Sequence, residues 1–324
     1  MMRAADKILK VGLVNNMPDA ALVDTDRQFA SLVAESLDGA PFEIVRLHLS
    51  SVERSATALA WRDQRSRHAD TMEHAQLDAL IITGAEPRTA DLRDEVYWPE
   101  LTRLIDDALR LELRVLCSCL ASHVAVQHLT GLTRRKRAEK LSGVFEFEVR
   151  KSHPLAQALG PRLTTPHSRW NSIDEADLAL IGAEVLSLSD DEVDAFTLPQ
   201  APDWLCLQGH PEYEPDTLVR EFRRDLFRYQ SGQLSVCPTP PRGVFALDEP
   251  ATLHPDRTGH RVKALIDACD RRLASPASNI GWRDSAVALY RAWLSPDRPF
   301  APANSRARPS TPQPSPRRVS SRRP

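Results

Sequence analysis

Short apolar runs alternate with amphipathic stretches along the first half of the chain. The apolar runs predict β-strands, at "ILKVGLVNN", "FEIVRLHL", "LDALIITGAEP" and "RVLCSC". The stretches around them predict helices, at "DTDRQFASLVAESL", "YWPELTRLIDDALRLE" and "LASHVAVQHLTG". This alternation is typical of a parallel sheet that is covered by helices on both faces. Such sheets bind ligands at the carboxyl ends of their strands, which is where "ITGAEP" and "CSCLAS" lie.

The second half of the chain predicts more strands, some of them antiparallel, followed by three helices. The strands are expected at "GVFEFEV", "EVLSLS", "AFTLP" and "WLCLQGHPEYEP". A clear helix follows at "DTLVREFRRDLFRYQSG", where an apolar face recurs at helical spacing through Leu218, Phe222, Leu226 and Tyr229. The last two helices are expected around "GHRVKALIDACDRRLAS" and "WRDSAVALYRAWL". The pattern as a whole predicts the α/β class.

The composition changes close to the C-terminus. Residues 297–324 are rich in Pro, Ser and Arg and contain few apolar side chains, so they are unable to build a core. We therefore expect a single catalytic domain over residues 1–296 and a disordered basic tail over residues 297–324.

Overall charge and cysteine content exclude several classes of protein. A net charge of −2 gives no general attraction to nucleic acid or to anionic membranes. No apolar run approaches the roughly 20 residues that cross a bilayer, so no membrane partner is expected. The chain has five cysteines, an odd number, and its N-terminus has no signal-peptide pattern. This usage predicts a reducing, cytoplasmic location without a disulfide framework.

Two cysteines in "RVLCSCLASHV" stand at the junction of a predicted strand and a predicted helix. Cys119 directly precedes the helix, whose free N–H groups and partial positive charge favour a thiolate and can hold an oxyanion. Cys119 is therefore a candidate nucleophile, whereas Cys117 lies inside the strand and is expected to pack as a small apolar residue. A metal site is not expected, because no second cluster of Cys or His ligands accompanies the CxC pair.

A candidate base follows the last predicted strand, in "WLCLQGHPEYEP". Pro211 favours an extended backbone at His210, and an extended backbone would place His210 and Glu212 on the same side. The carboxylate could then orient the imidazole as the third member of a Cys-His-acid triad. From the residues alone, a His-Pro-Glu segment is more often a surface turn, and that interpretation stays open here.

From about Lys10 to Leu294 the sequence resembles the homoserine O-succinyltransferase and O-acetyltransferase family, relatives of the class I glutamine amidotransferases. The matching motifs occur in the family's order, and they are "VGLVNNMPD", "DTDRQF", "LIITGAEP", "VYWPEL", "AEKLSGVFEFEV", "TPHSRWN", "GHPEYEPDTLVREFRRD" and "WRDSAVALYRAWL". The resemblance implies a flavodoxin-like three-layer sandwich with a mostly parallel central sheet and C-terminal helical additions.

The resemblance also implies a reaction and a set of site residues. An acyl group would pass from acyl-CoA, the co-substrate, to the hydroxyl of L-homoserine through an acyl-cysteine, in methionine biosynthesis and without a further cofactor. The implied catalytic residues are Cys119, His210 and Glu212. The implied substrate-binding residues are Lys140, Ser168 and Arg224, and the implied oxyanion donors are the backbone N–H groups of Leu120 and Thr89. Members of the family are often homodimers.

The chain departs from the family pattern at two places beside the expected site. "CLASHV" replaces the usual "CWGAQA", so that His123 stands where Gln is usual and either lines the pocket or packs. "EPR" replaces a Pro-hydrophobe-Gly/Glu pattern, and Arg88 could pair with a succinyl carboxylate, which favours succinyl over acetyl. The altered elbow keeps another acceptor, such as serine, open. A glutamine amidotransferase-type hydrolase and an inactive binding protein are two further alternatives.

Overall fold

A ten-stranded sheet forms the centre of the computed structural model, which describes residues 8–190, 192–245, 259–275 and 281–295. The strands in the described part of the chain are β1 (Leu9–Val14), β2 (Phe42–His48), β3 (Arg67–His68), β4 (Ala79–Ile82), β5 (Arg114–Ser118), β6 (Arg135–Val149), β7 (Arg162–Ser172), β8 (Glu184–Ser189), β9 (Glu192–Leu198) and β10 (Ala201–Leu207). Their order across the sheet is β3-β2-β1-β4-β5-β10-β9-β8-β6-β7.

Helices cover the sheet and extend the chain beyond it. In the same described ranges they are α1 (Asp19–Ser36), α2 (Ala56–Asp63), α3 (Met72–Ala75), α4 (Trp98–Arg110), α5 (Leu120–Thr130), α6 (Pro154–Gln157), α7 (Glu175–Leu180), α8 (Thr217–Gln230), α9 (Gly259–Ala274) and α10 (Arg283–Leu294). Two one-turn 3-10 helices span Ala69–Thr71 and Leu92–Asp94. None of the helices in these ranges is long and apolar enough to span a bilayer.

The six strands from β3 to β10 pair in parallel, and the five from β10 to β7 pair antiparallel. Every residue of β4 and β5 is buried, as expected for central strands that are covered on both faces. The predicted alternation of strands and helices around a mostly parallel sheet is therefore confirmed.

Separate apolar clusters fill the two faces of the sheet. One face packs against α4 and α5, through residues such as Leu104 and Val124. The opposite face packs against α1 and α10, through residues such as Phe29 and Trp293. The expected three-layer arrangement is thus present, and the C-terminal helix α10 completes one of the outer layers.

Several elements differ from the sequence-based expectations. Helix α1 begins at Asp19, five residues before the predicted start, and β3, α2 and β7 were not predicted. Strand β7 is the most consequential of these, because it carries the "PHSR" motif and pairs with β6 over most of its length. The predicted tail over residues 297–324 lies outside the described residues.

Candidate active site

Cys119 forms a strained elbow between β5 and α5. Strand β5 ends at Ser118, and Cys119 itself has φ 51° and ψ −110°, a backbone conformation that non-glycine residues rarely adopt. Its N–H donates to Leu207 O (2.8 Å), and its carbonyl oxygen accepts bonds from the N–H and the hydroxyl of Ser122 (3.0 and 2.6 Å). The elbow is therefore held from both sides, which is the kind of strain that collects at functional sites.

The neighbouring loop and strand fix the surroundings of this elbow. A Cβ placed on Gly84 would lie 3.2 Å from the Leu120 nitrogen, so the absence of a side chain keeps the space beside that N–H open. Cys117 is fully buried in the apolar cluster under α4 and α5 and is adjacent to Cys206 on β10, as its predicted packing role requires. The two cysteines of the CxC pair thus have different surroundings.

His210 and Glu212 form a buried pair next to Cys119. The Nδ1–H of His210 donates to Glu212 Oε1 (2.8 Å), and this leaves the other ring nitrogen, Nε2, free to act on the Cys119 side chain, which lines the same cavity. Pro211 and Glu212 form a turn, closed by the Tyr213 N–H donating to His210 O (3.1 Å), so the side-chain pair forms across a turn and not along a continuous extended segment. The Tyr213 ring stacks on the imidazole with 4.4 Å between centroids.

The backbone around the base is anchored to antiparallel strands. His210 N–H donates to Pro166 O on β7 (2.8 Å), and Gln208 N–H donates to Asp194 O on β9 (2.7 Å). A Cβ on Gly209 would come within 2.7 Å of His167 Nε2, so the three strands pack too closely there for any side chain. The position of the imidazole is therefore set by β7, β9 and β10 together.

Opposing effects determine the protonation of His210. Burial alone would lower the pKa of this imidazole, but the charges of Cys119 and Glu212, together with the hydrogen bonds to them, raise the pKa well above its ordinary value. The imidazole therefore favours its protonated form while the thiolate is present. Loss of the Cys119 charge removes the largest of the effects that raise this pKa.

A cavity of about 490 Å³ opens from Cys119 and His210. Six residues that were predicted as site residues line it, namely Cys119, Leu120, Lys140, Ser168, His210 and Arg224. Glu212 does not line the cavity itself, and it acts on the site through its hydrogen bond to His210. No group of three or more His, Cys, Asp or Glu side chains suited to a metal ion occurs within the described ranges.

The two predicted substrate-binding cations converge on one carboxylate, Asp225. Lys140 Nζ donates to Asp225 Oδ2 (2.8 Å), and Arg224 Nη2 donates to Asp225 Oδ1 (2.9 Å). Burial alone would raise the pKa of Asp225, but the two cations outweigh this effect and lower it. Ser168 lies between His167 and Arg169 on β7 and lines the same cavity, so its hydroxyl belongs to a strand and not to a turn.

Arg88 and Thr89 lie outside the cavity lining. The Arg88 side chain is 68% exposed and pairs with Glu53 on the surface (2.5 Å). The Thr89 N–H already donates to Glu95 Oε1 (2.7 Å), as do the Thr89 hydroxyl and the Arg88 N–H. The expected geometry for these two residues is therefore wrong: Arg88 pairs away from the cavity, and the Thr89 N–H is occupied by a buried carboxylate.

His123 is buried in the first turn of α5, and it also lines the cavity. Gln208 Oε1 accepts from the Ile173 N–H (2.8 Å) while Gln208 Nε2 donates to two carbonyl groups, so the amide orientation is fixed. His123 Nε2 must therefore be the donor in its 3.0 Å bond to Gln208 Oε1. Burial lowers the pKa of His123 to about 3, so this ring contributes no charge to the site at neutral pH.

Sequence reasoning missed several residues of the cavity. Asp225 is the clearest example, and it had a usable signal: it lies three residues after Phe222, on the apolar face of α8. A carboxylate on a buried face requires a partner, which here is the Lys140–Arg224 pair. Arg228, which pairs with Glu86 (2.8 Å), joins α8 to the loop after β4 and had no comparable signal.

Comparison with known proteins identifies the family. A family model described as Homoserine O-succinyltransferase matches residues 2–296. A homoserine O-succinyltransferase of Cardiobacterium hominis is 39% identical over 298 residues, which cover 88% of this chain and 81% of the relative. Those of Methylorubrum extorquens and Bradyrhizobium japonicum are 37% and 38% identical, covering 88% and 90% of this chain and 86% and 91% of the relatives. The chain therefore belongs to the homoserine O-succinyltransferase family.

Proposed function

We propose that this protein transfers a succinyl group from succinyl-CoA to the hydroxyl of L-homoserine, in methionine biosynthesis, through a thioester on Cys119. The observation that carries the proposal is the elbow thiol beside the buried His210–Glu212 pair. Cys119 and His210 both line a cavity large enough for small substrates. Family membership indicates L-homoserine as the acceptor and favours succinyl as the acyl group.

The first half-reaction forms the acyl-enzyme. The Cys119 thiolate attacks the thioester carbonyl, and the Leu120 N–H at the start of α5 stabilises the developing oxyanion. The open space beside Gly84 leaves room for that oxygen. The carbon–sulfur bond to CoA then breaks, and the protonated His210 transfers its proton to the leaving thiolate. The site now holds an uncharged acyl-cysteine and a neutral imidazole.

The second half-reaction uses His210 as a base. The Cys119 charge, which is the largest effect raising the pKa of His210, is absent from the acyl-enzyme, so the imidazole is able to accept a proton. It takes the proton of the homoserine hydroxyl while the oxygen attacks the acyl carbon. The carbon–sulfur bond to Cys119 breaks, the ester leaves, and the thiolate–imidazolium pair forms again. This sequence predicts ping-pong kinetics.

Binding of the amino-acid acceptor is assigned to the wall formed by β6, β7 and α8. Lys140 and Arg224 are cations suited to its carboxylate, and Ser168 offers a hydroxyl on the same wall. Asp225 holds the two cations in position. We further propose a cytoplasmic location, a homodimeric assembly, and a catalytic domain over residues 1–296 with a basic tail over residues 297–324, as the family resemblance and the composition suggest.

Intact-mass measurement after mixing with succinyl-CoA tests the proposal. We expect one succinyl adduct on the wild-type protein and none on a Cys119→Ala variant. Cys117→Ala is the matched control, because that thiol is two residues away but buried in the apolar core. Release of free CoA should then require homoserine. Retained transfer in the Cys119→Ala variant would refute the mechanism, and turnover with serine, or glutamine hydrolysis in place of acyl transfer, would refute the substrate assignment.

A further inference from the structure

The cations that line the cavity are mostly paired with carboxylates. Six Lys or Arg side chains line it among the described residues, and five of them form ion pairs. The pairs are Lys140 and Arg224 with Asp225, Arg228 with Glu86, Arg220 with Asp24, and Arg169 with Glu192. Each of these five cations therefore has a carboxylate partner before any substrate enters, although Lys140 and Arg224 share one.

Arg134 is the sixth cation, and it is different. It directly precedes β6, and its guanidinium forms neither an ion pair nor a hydrogen bond with any side chain in the described ranges, while its Nε is buried and unpartnered. Burial lowers the pKa of Arg134, although nearby negative groups, among them Cys119 and Glu95, oppose that effect. A partly desolvated cation without a partner is costly unless an anion binds to it.

The carboxylates whose charges act on the pKa of Arg134 already have other partners. Glu95 Oε1 accepts three hydrogen bonds from the backbone and side chains of the loop after β4. Asp91 pairs with Arg93 (2.5 Å) and accepts a bond from Gln127 (2.8 Å). The described residues thus provide no dedicated counter-ion for Arg134, and the cavity that it lines is the side from which an anion can approach.

The position of Arg134 indicates which part of a substrate would supply the anion. Arg134 and Cys119 line the same cavity, and the Cys119 charge opposes the lowering of the Arg134 pKa, whereas Lys140 and Arg224 lie with Asp225 on the wall assigned to the amino-acid acceptor. Arg88, the residue for which a succinyl contact was expected, is exposed and paired with Glu53. A planar guanidinium matches a carboxylate with two parallel hydrogen bonds.

On the basis of the succinyl transfer proposed above, we propose that Arg134 binds the distal carboxylate of the acyl group while that group is attached to CoA and then to Cys119. Arg134 is on this assignment the residue that selects a dicarboxylic acyl donor over an acetyl donor.

Donor selectivity tests this role. We expect Arg134→Met to lower kcat/KM for succinyl-CoA by about 10- to 100-fold, the range for losing a hydrogen bond to a charged group. The same variant should change kcat/KM for acetyl-CoA by less than about threefold, because acetyl lacks the carboxylate. Arg134→Lys should recover part of the succinyl preference. Arg88→Met is the matched surface control and should leave the ratio of the two donors unchanged.

A substrate-side experiment on the wild-type protein does not depend on how the variants fold. The methyl ester of succinyl-CoA has nearly the same length without the charge, and it should be a poor donor for the wild-type protein. The assignment would be overturned if Arg134→Met left the ratio of kcat/KM for succinyl-CoA to that for acetyl-CoA unchanged. It would also be overturned if the wild-type protein were fully active with the methyl ester. Failure of any thioester to acylate wild-type Cys119 would instead overturn the proposed function, and the two failures are thus distinguishable.

Discussion

The charge of Glu212 can be removed with little change in the shape of its side chain. In the wild-type protein, His210 Nδ1 lies 2.8 Å from Glu212 Oε1. A Glu212→Gln substitution leaves an amide oxygen that is still able to accept this hydrogen bond. Both side chains are buried, so solvent screens little of the lost interaction. The substitution therefore isolates the electrostatic part of the pair from its geometry.

The expected loss follows from Coulomb's law. Two unit charges about 4 Å apart interact by about 4 kcal/mol at an effective dielectric constant near 20. This energy is gained when neutral His210 of the acyl-enzyme takes the proton of the acceptor hydroxyl. Since each 1.36 kcal/mol corresponds to a factor of ten, deacylation should slow by about 10³-fold. Acylation should slow less, because there His210 gives its proton away.

Rapid-quench intact-mass measurement separates the two steps. With succinyl-CoA and homoserine both present, Glu212→Gln should accumulate acylated Cys119, whereas the wild-type protein should not. Glu35→Gln is the control for the same chemical change, because Glu35 pairs with Arg283 where α1 meets α10. A turnover within about tenfold of wild type, in a variant with an unchanged melting temperature, would contradict the reasoning. So would a slow turnover without an acyl-enzyme.

Three further outcomes are expected. Asp225→Asn should lower the free energy of unfolding by about 3 kcal/mol in urea titrations, because it leaves two partly buried cations without their shared carboxylate. The folded-state pKa of Asp225 is lowered below the unfolded value of about 3.9. The ionised carboxylate therefore adds to the free energy of unfolding above that pH, and this addition is lost as pH falls through the folded-state pKa. The Asp225→Asn variant should accordingly lose less stability than the wild-type protein when the solution is acidified. Gly84→Ala should reduce kcat at least about tenfold, because the new Cβ would lie 3.2 Å from the Leu120 nitrogen. Gly160→Ala should not, because a Cβ there would meet only Arg162 O, at an ordinary contact distance of 3.8 Å.

The parallel half of the sheet was predictable because its strands are buried on both faces. The segments of β4 and β5 are almost continuous apolar runs, and the helices between them carry clear polar and apolar faces. The nucleophile was predictable for the same reason, since Cys119 lies where an apolar run ends and a helical pattern begins. Its positive φ had no signal in the sequence, because it arises from the hydrogen bonds that hold the elbow.

The loop after β4 was less predictable because its conformation depends on one buried side chain, that of Glu95. Glu95 is buried and accepts bonds from Arg88 and Thr89, which turns both residues away from the cavity. The sequence of this loop carries no pattern that indicates which of its carboxylates will be buried. Resemblance to a family places residues in register along the chain, but the direction of their side chains follows from contacts of this kind.

The antiparallel strands beneath the base show why one strand was missed altogether. Strand β7 buries Thr165, His167 and Arg169, so the apolar alternation by which a strand is recognised is replaced by polar side chains. Those side chains form a buried chain of contacts: Arg169 Nε donates to His167 Nδ1 (3.1 Å), and His167 Nε2 lies 3.2 Å from Asp194 Oδ1.

This buried polar chain is directly connected to the base. Thr165 donates to Asp194 (3.0 Å), the Asp194 carbonyl accepts from Gln208, and the Pro166 carbonyl accepts from His210 itself. Burying so many polar groups is costly unless each is paired, and the pairing fixes the backbone more tightly than apolar contacts would. The buried polar side chains that made β7 hard to recognise from its sequence thus belong to the strand that anchors the backbone of His210 beside Cys119.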